Sequence, residues 1–151
     1  MTIFRTILLP LLLTAGFATS AVFAQNANLQ PKFGDTPKND MQKAADAKFL
    51  AGIDEYYKGD RKKASATASA RGWQFLREGN KPDAMRRFNQ AWLINNANGE
   101  ALWGMAILQG EAGNTAPALK LFSEADQLIG NDVDFAVDYA RTLGMNRKKI
   151  T

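Results

Sequence analysis

GNKPDAMRRFNQA at residues 79–91 is the stretch that decides the fold, and the related GNTAPALKLFSEA follows at residues 113–125. Five residues are shared, and each recurs 34 positions after its first occurrence: Gly79, Asn80, Ala84, Phe88 and Ala91 are matched by Gly113, Asn114, Ala118, Phe122 and Ala125. A fixed interval of this size is typical of a helical repeat array, in which each pair of helices buries its apolar face only by stacking on its neighbours. The sequence therefore predicts an all-α chain of stacked helix pairs.

These stretches resemble the tetratricopeptide repeat (TPR), a unit of two helices. Gly72 and Phe75 take the small and aromatic places of the first helix in one unit, and Leu102 and Ala106 lie in the first helix of the next. The resemblance covers about residues 65–144 and implies a short right-handed solenoid of about two repeats. The stretch from Gly72 to Trp92 is also similar to small exported bacterial repeat proteins of unassigned role.

Four positions depart from the TPR pattern. Ala68 stands where the first unit should carry a large aromatic, and Gln109 replaces the aromatic matched by Phe75. The prolines that end each unit become Asn96 and Gly130. We interpret these departures as irregular turns between units.

The predicted organisation has seven parts. They are a signal peptide at 1–24, an extended linker at 25–40, an N-terminal capping helix with the start of the first long helix at 41–64, TPR 1 at 65–98, TPR 2 at 99–132, a C-terminal capping helix at 133–144 that stops at Gly144, and a basic tail at 145–151. Two repeats fall short of the three or so that bury a continuous core, so both capping helices are expected to close the stack. The front one is predicted to bury one stripe: Met41, Ala45, Phe49, Ile53 and Tyr56.

The first residues resemble a secretory leader. Arg5 precedes an apolar run from Ile7 to Phe17, and Val22 and Ala24 fit the small-residue rule for signal-peptidase cleavage. Cleavage after Ala24 predicts a periplasmic or secreted protein. An uncleaved membrane anchor is the alternative, which the shortness of the run disfavours.

Composition excludes several classes of site. The chain has no cysteine and no histidine, which removes disulfides, thiolate metal sites and the commonest general base. Without residues 1–24 it carries 18 basic and 15 acidic residues, and this net charge of +3 is too mild to indicate nucleic-acid binding. We therefore expect no enzyme, no cofactor and no metal. Basic residues nevertheless cluster early, at 58–63, and acidic ones late, at 124–138. Either solvated helix faces or a polarised binding surface accounts for this.

The resemblance also implies a binding site, because in TPR proteins the first helices line a concave groove. The groove residues carried over are Ser69, Trp73, Leu76, Arg77, Glu100, Trp103, Ile107, Glu111, Asp134, Val137, Asp138 and Arg141. Trp73 and Trp103 are the expected anchors, since large aromatics bury much area at low entropic cost. Core packing is the alternative for both. Gly72 and Phe75 already take the buried places beside Trp73, which predicts a partly exposed ring.

Three functions stay open at this point. The first is an exported adaptor or scaffold that binds a protein or peptide of the cell envelope in its groove. The second is a structural component of an envelope assembly, or of a secretion or pilus-type complex, that contacts membrane or polymer through its convex face or its basic tail. The third, an unusual hydrolase, rests only on carboxylate pairs. The linker at 25–40 either occupies the groove through Leu29 to Phe33 or is disordered.

Overall fold

The structure, a computed structural model, describes residues 27–148, and within this range it contains six α-helices, a short 3-10 helix and no β-strand. The helices are α1 (Asp40–Tyr57), α2 (Arg61–Arg77), α3 (Lys81–Ile94), α4 (Gly99–Glu111), α5 (Thr115–Ile129) and α6 (Val133–Lys148), and the 3-10 helix spans Pro31–Asp35. The all-α prediction is confirmed. No helix in the described range has both the length and the apolar character needed to cross a bilayer. The predicted signal peptide lies outside the described residues.

Successive helices pack against one another in two layers. The most extensive contacts join α2 to α3 and α4 to α5, and each of these pairs is connected by a short turn that reverses the chain. Helix α4 also packs on α2 and α3, while α6 packs on α4 and α5. Helices α2, α4 and α6 therefore lie side by side in one layer, and α3 and α5 lie in the other.

The turns inside the two pairs have the same backbone structure. The amide of Asn80 donates to the carbonyl of Phe75, and the amide of Asn114 donates to that of Gln109, both at 2.9 Å. Gly79 and the equivalent glycine at 113 have φ of 76° and 81°, a left-handed conformation that glycine adopts at little cost. The 34-residue repeat in the sequence thus corresponds to a repeat in the backbone conformation of these two turns.

The core is centred on the repeated phenylalanines. Phe88 and Phe122 are fully buried, as are the shared alanines that surround them: Ala84, Ala91, Ala118 and Ala125. The ring of Phe88 contacts two glycines from the other layer. A Cβ atom would lie 2.7 Å from the ring at Gly72 and 2.2 Å from it at Gly104. Glycine at these positions lets α2 and α4 approach the ring closely enough to enclose it.

The front helix α1 corrects one prediction. Asn39 and Gln42 form a capping box at its start, with two hydrogen bonds of 2.9 Å. The predicted stripe is right at two of its five positions, because Phe49 and Ile53 are partly buried while Met41, Ala45 and Tyr56 are exposed. The packed face is rotated to include Leu50 and Tyr57, which are partly buried against the core. Leu50 and Tyr57 bury more apolar area than Ala45 would, which favours this rotation.

The closing helix also differs from the prediction. Helix α6 does not stop at Gly144 but continues to Lys148, so the first part of the predicted basic tail is helical. Glycine in a helix interior costs only about 1 kcal/mol, and nothing packs near this position. The last residues of the predicted tail, 149–151, lie outside the described range.

Residues 27–39, here called the arm, are folded rather than extended. Backbone φ angles are 51° at Lys32, 58° at Phe33, 77° at Gly34 and 51° at Asp35, so the arm makes a left-handed turn. This conformation costs non-glycine residues about 1–2 kcal/mol each. Contacts with the helices must therefore offset a considerable strain.

Those contacts attach the arm to three helices. The Nδ2 atom of Asn89 on α3 donates to the carbonyls of Asn28 and Gln30, at 3.0 and 2.8 Å. Lys32 forms an ion pair with Glu124 on α5, and Lys38 forms one with Asp46 on α1. The hydrogen bonds and ion pairs of the arm thus go to α1, α3 and α5. They do not go to the helices that carry the predicted groove residues.

Candidate functional site

The two predicted anchors lie in contact on neighbouring helices. The ring centroids of Trp73 on α2 and Trp103 on α4 are 4.7 Å apart, with an angle of 67° between the ring planes. On its other side Trp73 meets the buried ring of Phe88 at 5.2 Å. Both tryptophans are partly buried, so each packs one edge on the core and keeps part of its ring exposed. Trp73 thus lies between the core ring of Phe88 and the ring of Trp103.

Helix α6 extends this aromatic row. Phe135 is buried and its ring centroid lies 5.7 Å from that of Trp103, at 89°. The indole Nε1 of Trp103 donates to a carboxylate oxygen of Asp138 at 3.2 Å, and Arg141 donates to the other oxygen at 3.1 Å. The orientation of Trp103 is therefore set from both sides. Its polar edge is satisfied, which leaves the exposed part of the ring for apolar contact.

Two aliphatic side chains border the tryptophans. Leu76 lies one turn after Trp73, and Ile107 lies one turn after Trp103, and both are partly buried against the core. Residues three or four apart share a helix face, so these four side chains form one apolar strip across α2 and α4. We call this strip, made of Trp73, Leu76, Trp103 and Ile107, the tryptophan surface.

Charges of both signs lie on the same three helices. Arg77, Glu100, Glu111, Asp134 and Arg141 are exposed, as is Val137. Glu111 pairs with a lysine at the start of α3 at 3.1 Å. An exposed ion pair of this kind contributes at most about 1 kcal/mol to stability. These exposed residues are therefore not needed to hold the fold.

Ser69 is the one predicted groove residue that the structure removes from the surface. It is fully buried, and its Oγ atom accepts a hydrogen bond of 2.9 Å from Asn98. The same amide donates to Ser65 at 2.7 Å, while Oδ1 of Asn98 caps α4 through the amide of Ala101. Asn98 thus links the start of α4 to the middle of α2. The expectation that Ser69 contacts a ligand is wrong, because this buried network uses its hydroxyl.

Two carboxylates outside the tryptophan surface have shifted pKa values. The hydrogen bonds from Arg61 lower the pKa of Asp54 at the end of α1. On α3, hydrogen bonds from Arg86 and then from Asn80 lower the pKa of Asp83. Both groups are solvated and lie at helix ends or on a helix exterior. A lowered pKa keeps each carboxylate ionised, which suits an ion pair rather than a general base.

Two open clefts beside the arm are a competing location. One of about 590 Å³ lies between the arm and α1, lined by Phe33, Lys38 and Gln42 among others. The second, of about 720 Å³, lies between the arm and α5 near Lys32 and Lys120. The arm itself forms one wall of each cleft, and it is attached by a few polar contacts. The tryptophan surface is preferred because its side chains are fixed by the core.

The sequence reasoning missed Phe135 and Asn98, the residues that position Trp103 and the start of α4. A signal existed for the first of them: Phe135 follows Ala101 by 34 residues, and both are buried. Asn98 gives no comparable signal, since an asparagine before a helix indicates only an N-cap. Comparisons with models of protein families, with curated proteins and with solved structures found no match to this chain.

Proposed function

We propose that this protein is a non-catalytic adaptor whose two helix pairs are TPR units and whose tryptophan surface binds a segment of another protein. The repeat assignment is supported by the 34-residue interval, by the equivalent hydrogen bonds at the two inner turns and by the matching buried residues. On this assignment α2, α4 and α6 are the first helices of successive units and line the concave side.

The contact between Trp73 and Trp103 is the observation that carries the proposal. Aromatic side chains that are pre-ordered and partly exposed are effective binding anchors, because a partner loses little further side-chain entropy on contact. Both rings are held in place before any partner arrives, Trp73 by Phe88 and Trp103 by Phe135 and Asp138. A surface of this kind suits recognition better than chemistry.

The surroundings of the strip define the ligand class. Leu76 and Ile107 widen the apolar contact, and Arg77 and Glu111 flank it with opposite charges. A matching ligand is an extended peptide or an amphipathic helix with one or two large apolar residues flanked by charges. Such a ligand need not supply an acceptor for Trp103, because Asp138 already accepts its indole N–H.

Export is part of the proposal and rests on the leader pattern at residues 1–24. The partner would then be a protein of the cell envelope. Intact mass of the protein recovered from the source cell tests this point, since cleavage predicts a chain that begins at residue 25. Recovery of a chain that still contains the leader sequence contradicts it.

Site-specific photocrosslinking in the source cell tests the binding surface. A crosslinking amino acid at Arg77 or Glu100, both exposed beside the tryptophans, is expected to trap a partner. The same amino acid at Ser123, exposed on α5 in the other layer, serves as the control. The trapped adduct is expected to disappear when Trp73→Ala and Trp103→Ala are added.

Those two substitutions also remove packing contacts, so the experiment needs a control variant that loses comparable packing at another position. Trp92→Ala on α3 supplies it, because Trp92 is partly buried against the core but does not belong to the tryptophan surface. Circular dichroism must show that all variants stay helical. Adducts that form from position 123 and not from 77 or 100 would reject the groove and favour the assembly role through the second-helix layer.

A further inference from the structure

Within residues 27–148, both terminal helices lack a partner that the inner helices have. Helix α2 packs on α3 and α4 on α5 as pairs, whereas in this part of the chain no helix follows α6 and only the 3-10 helix precedes α1. In the order of the stack, α6 takes the place of a first helix without its second. Helix α1 takes the place of a second helix without its first.

The outer face of α6 is apolar. Its inner face carries Phe135 and Thr142, both buried. On the opposite face, Val133 and Val137 are 76% and 50% exposed, and Ala140 continues the line at helical spacing. A helix whose outer face is in water normally carries charged residues on that face. An exposed apolar patch there is typical of an interaction site.

The outer side of α1 is mixed rather than apolar. Ala44 and Ala51 are exposed there, and their small side chains permit another helix to approach closely, but the exposed Lys48 and Glu55 lie on the same face. Met41 and Tyr56, which are 74% and 80% exposed, lie at its margin. Within residues 27–148, each end of the stack therefore presents a helix face that no other helix covers, apolar on α6 and mixed on α1.

A mainly basic and an acidic cluster lie at the two ends, on the same edge of the stack. The end of α1 and the start of α2 carry exposed Lys58, Lys62 and Lys63 beside exposed Glu55 and Asp60, while the end of α5 and the start of α6 carry exposed Asp126 and Asp134. One site is the turn between α1 and α2, and the other is the turn between α5 and α6. Because successive helices are antiparallel, every second turn lies on the same edge of the stack. None of these three lysines takes part in an ion pair within residues 27–148.

We propose that the occupant of these faces is a second copy of this chain, docked head to tail. Helix α6 of one copy packs against α1 of the next and so completes a helix pair that neither chain completes alone. The same docking brings Asp126 and Asp134 near Lys58 and Lys62 of the next copy. Such a contact joins two different surfaces, so it generates a row of copies rather than a symmetric dimer. This inference does not depend on a ligand at the tryptophan surface.

Sedimentation equilibrium over a range of concentrations tests the docking, on protein recovered after export and checked by intact mass. The mean mass of the wild type is expected to rise with concentration. Val137→Glu blocks the α6 face, and Ala44→Glu blocks the α1 face. Each variant alone is expected to self-associate about tenfold more weakly or worse, because docking would remove the new carboxylate from water.

Mixing the two variants is the decisive arm. Each retains the face that the other lacks, so an equimolar mixture is expected to form pairs that stop at two copies. Ala116→Glu on α5 is the matched control: it is exposed, it lies four residues before Lys120, and it is expected to associate like the wild type. In the same way Ala44→Glu precedes Lys48 and Val137→Glu precedes Arg141, so each of the three new carboxylates has a cation one turn away.

Three outcomes would overturn the proposal. The wild type stays monomeric at every concentration up to about 1 mM. Alternatively, Val137→Glu abolishes association while Ala44→Glu alone still dimerises, which indicates a symmetric contact between two α6 helices. Finally, both variants associate as the wild type does, which places the contact elsewhere. Circular dichroism of each variant keeps a loss of fold from being read as a loss of docking.

Discussion

The two helix pairs share a core and differ at their surfaces. Phe88 and Phe122 are both fully buried, and the turns before them have the same hydrogen bonds. By contrast, Asn89 holds the arm, whereas its equivalent Ser123 is exposed. The positions that repeat are those that neighbouring helices must bury. The positions that differ decide what each pair contacts, and they are where function is to be sought.

The two phenylalanines also differ in what surrounds them. Phe88 lies in the middle of the stack, enclosed by Gly72 and Gly104 and near Trp73. Phe122 lies towards the end and stacks on Tyr139 of the closing helix, with centroids 5.2 Å apart and planes at 6°. Phe88 therefore joins the two helix pairs, whereas Phe122 attaches the closing helix α6.

The largest expected effect comes from removing these rings. Phe88→Ala should lower the free energy of unfolding by about 3–5 kcal/mol, because it leaves a cavity that the two glycines have no side chains to fill. Phe122→Ala should cost less within this range, since Tyr139 is only partly buried and can move inward. Urea denaturation of both variants measures the difference. Equal losses would show that the middle and the end of the stack are packed alike.

A smaller effect is expected at Gly104. Its equivalent in the first pair is Ala70, which is exposed, so only the second pair needs glycine here. Gly104→Ala should destabilise the protein by about 1–3 kcal/mol through overpacking against Phe88. Gly52→Ala is the matched control, because nothing lies within 4 Å of that position. It should stabilise α1 by about 0.5–1 kcal/mol. Unfolding curves that show both substitutions stabilising would refute the close contact.

The arm supplies the next comparison. Asn89→Ala removes two hydrogen bonds to the arm and should cost about 1–3 kcal/mol, whereas Ser123→Ala at the equivalent position should be nearly neutral. The strained turn is then expected to open, and limited proteolysis should cut within residues 27–39 faster than in the wild type. Unchanged protection of the arm in Asn89→Ala would show that other contacts hold it.

The smallest effect concerns the turn between α1 and α2. Arg61 lowers the pKa of Asp54 below its ordinary value of 3.8, so this pair stabilises the fold above that value and loses its contribution as the pH falls through the lowered pKa. Asp54→Asn should therefore lose stability at about pH 7 and approach the wild type as the pH falls through the lowered pKa. Denaturation at neutral pH and over a series of acidic pH values checks this. A deficit that persists in acid would assign the effect to lost packing.

Much of the fold could be predicted from spacing alone. The repeated glycine turns, the caps at Asp60 and Asn98 and the buried Phe and Ala residues follow from local geometry and from the 34-residue interval. The rotation of α1 could not be predicted, because Met41 and Leu50 are both apolar and only their neighbours decide which is buried. Gly104 was missed because its packing partner, Phe88, lies on a different helix.

The tryptophan surface was predictable in part. Its helices and the register of Trp73 and Trp103 came from the resemblance, but the contact between the rings depends on how closely α2 and α4 approach. Ser69 was misplaced because the register does not reveal that Asn98 reaches it across two helices. The arm escaped prediction altogether, since its left-handed turn opposes the preferences of Lys32 and Phe33. Only tertiary contacts account for that conformation.

The closeness of Trp73 and Trp103 has an optical consequence. Two indoles whose centroids lie 4.7 Å apart at a fixed angle couple their most intense electronic transitions, so the folded chain should have a split dichroic band in the far ultraviolet. That band reports on the relative tilt of α2 and α4 without any attached dye. A change in this band would therefore report on binding at the proposed site, the tryptophan surface.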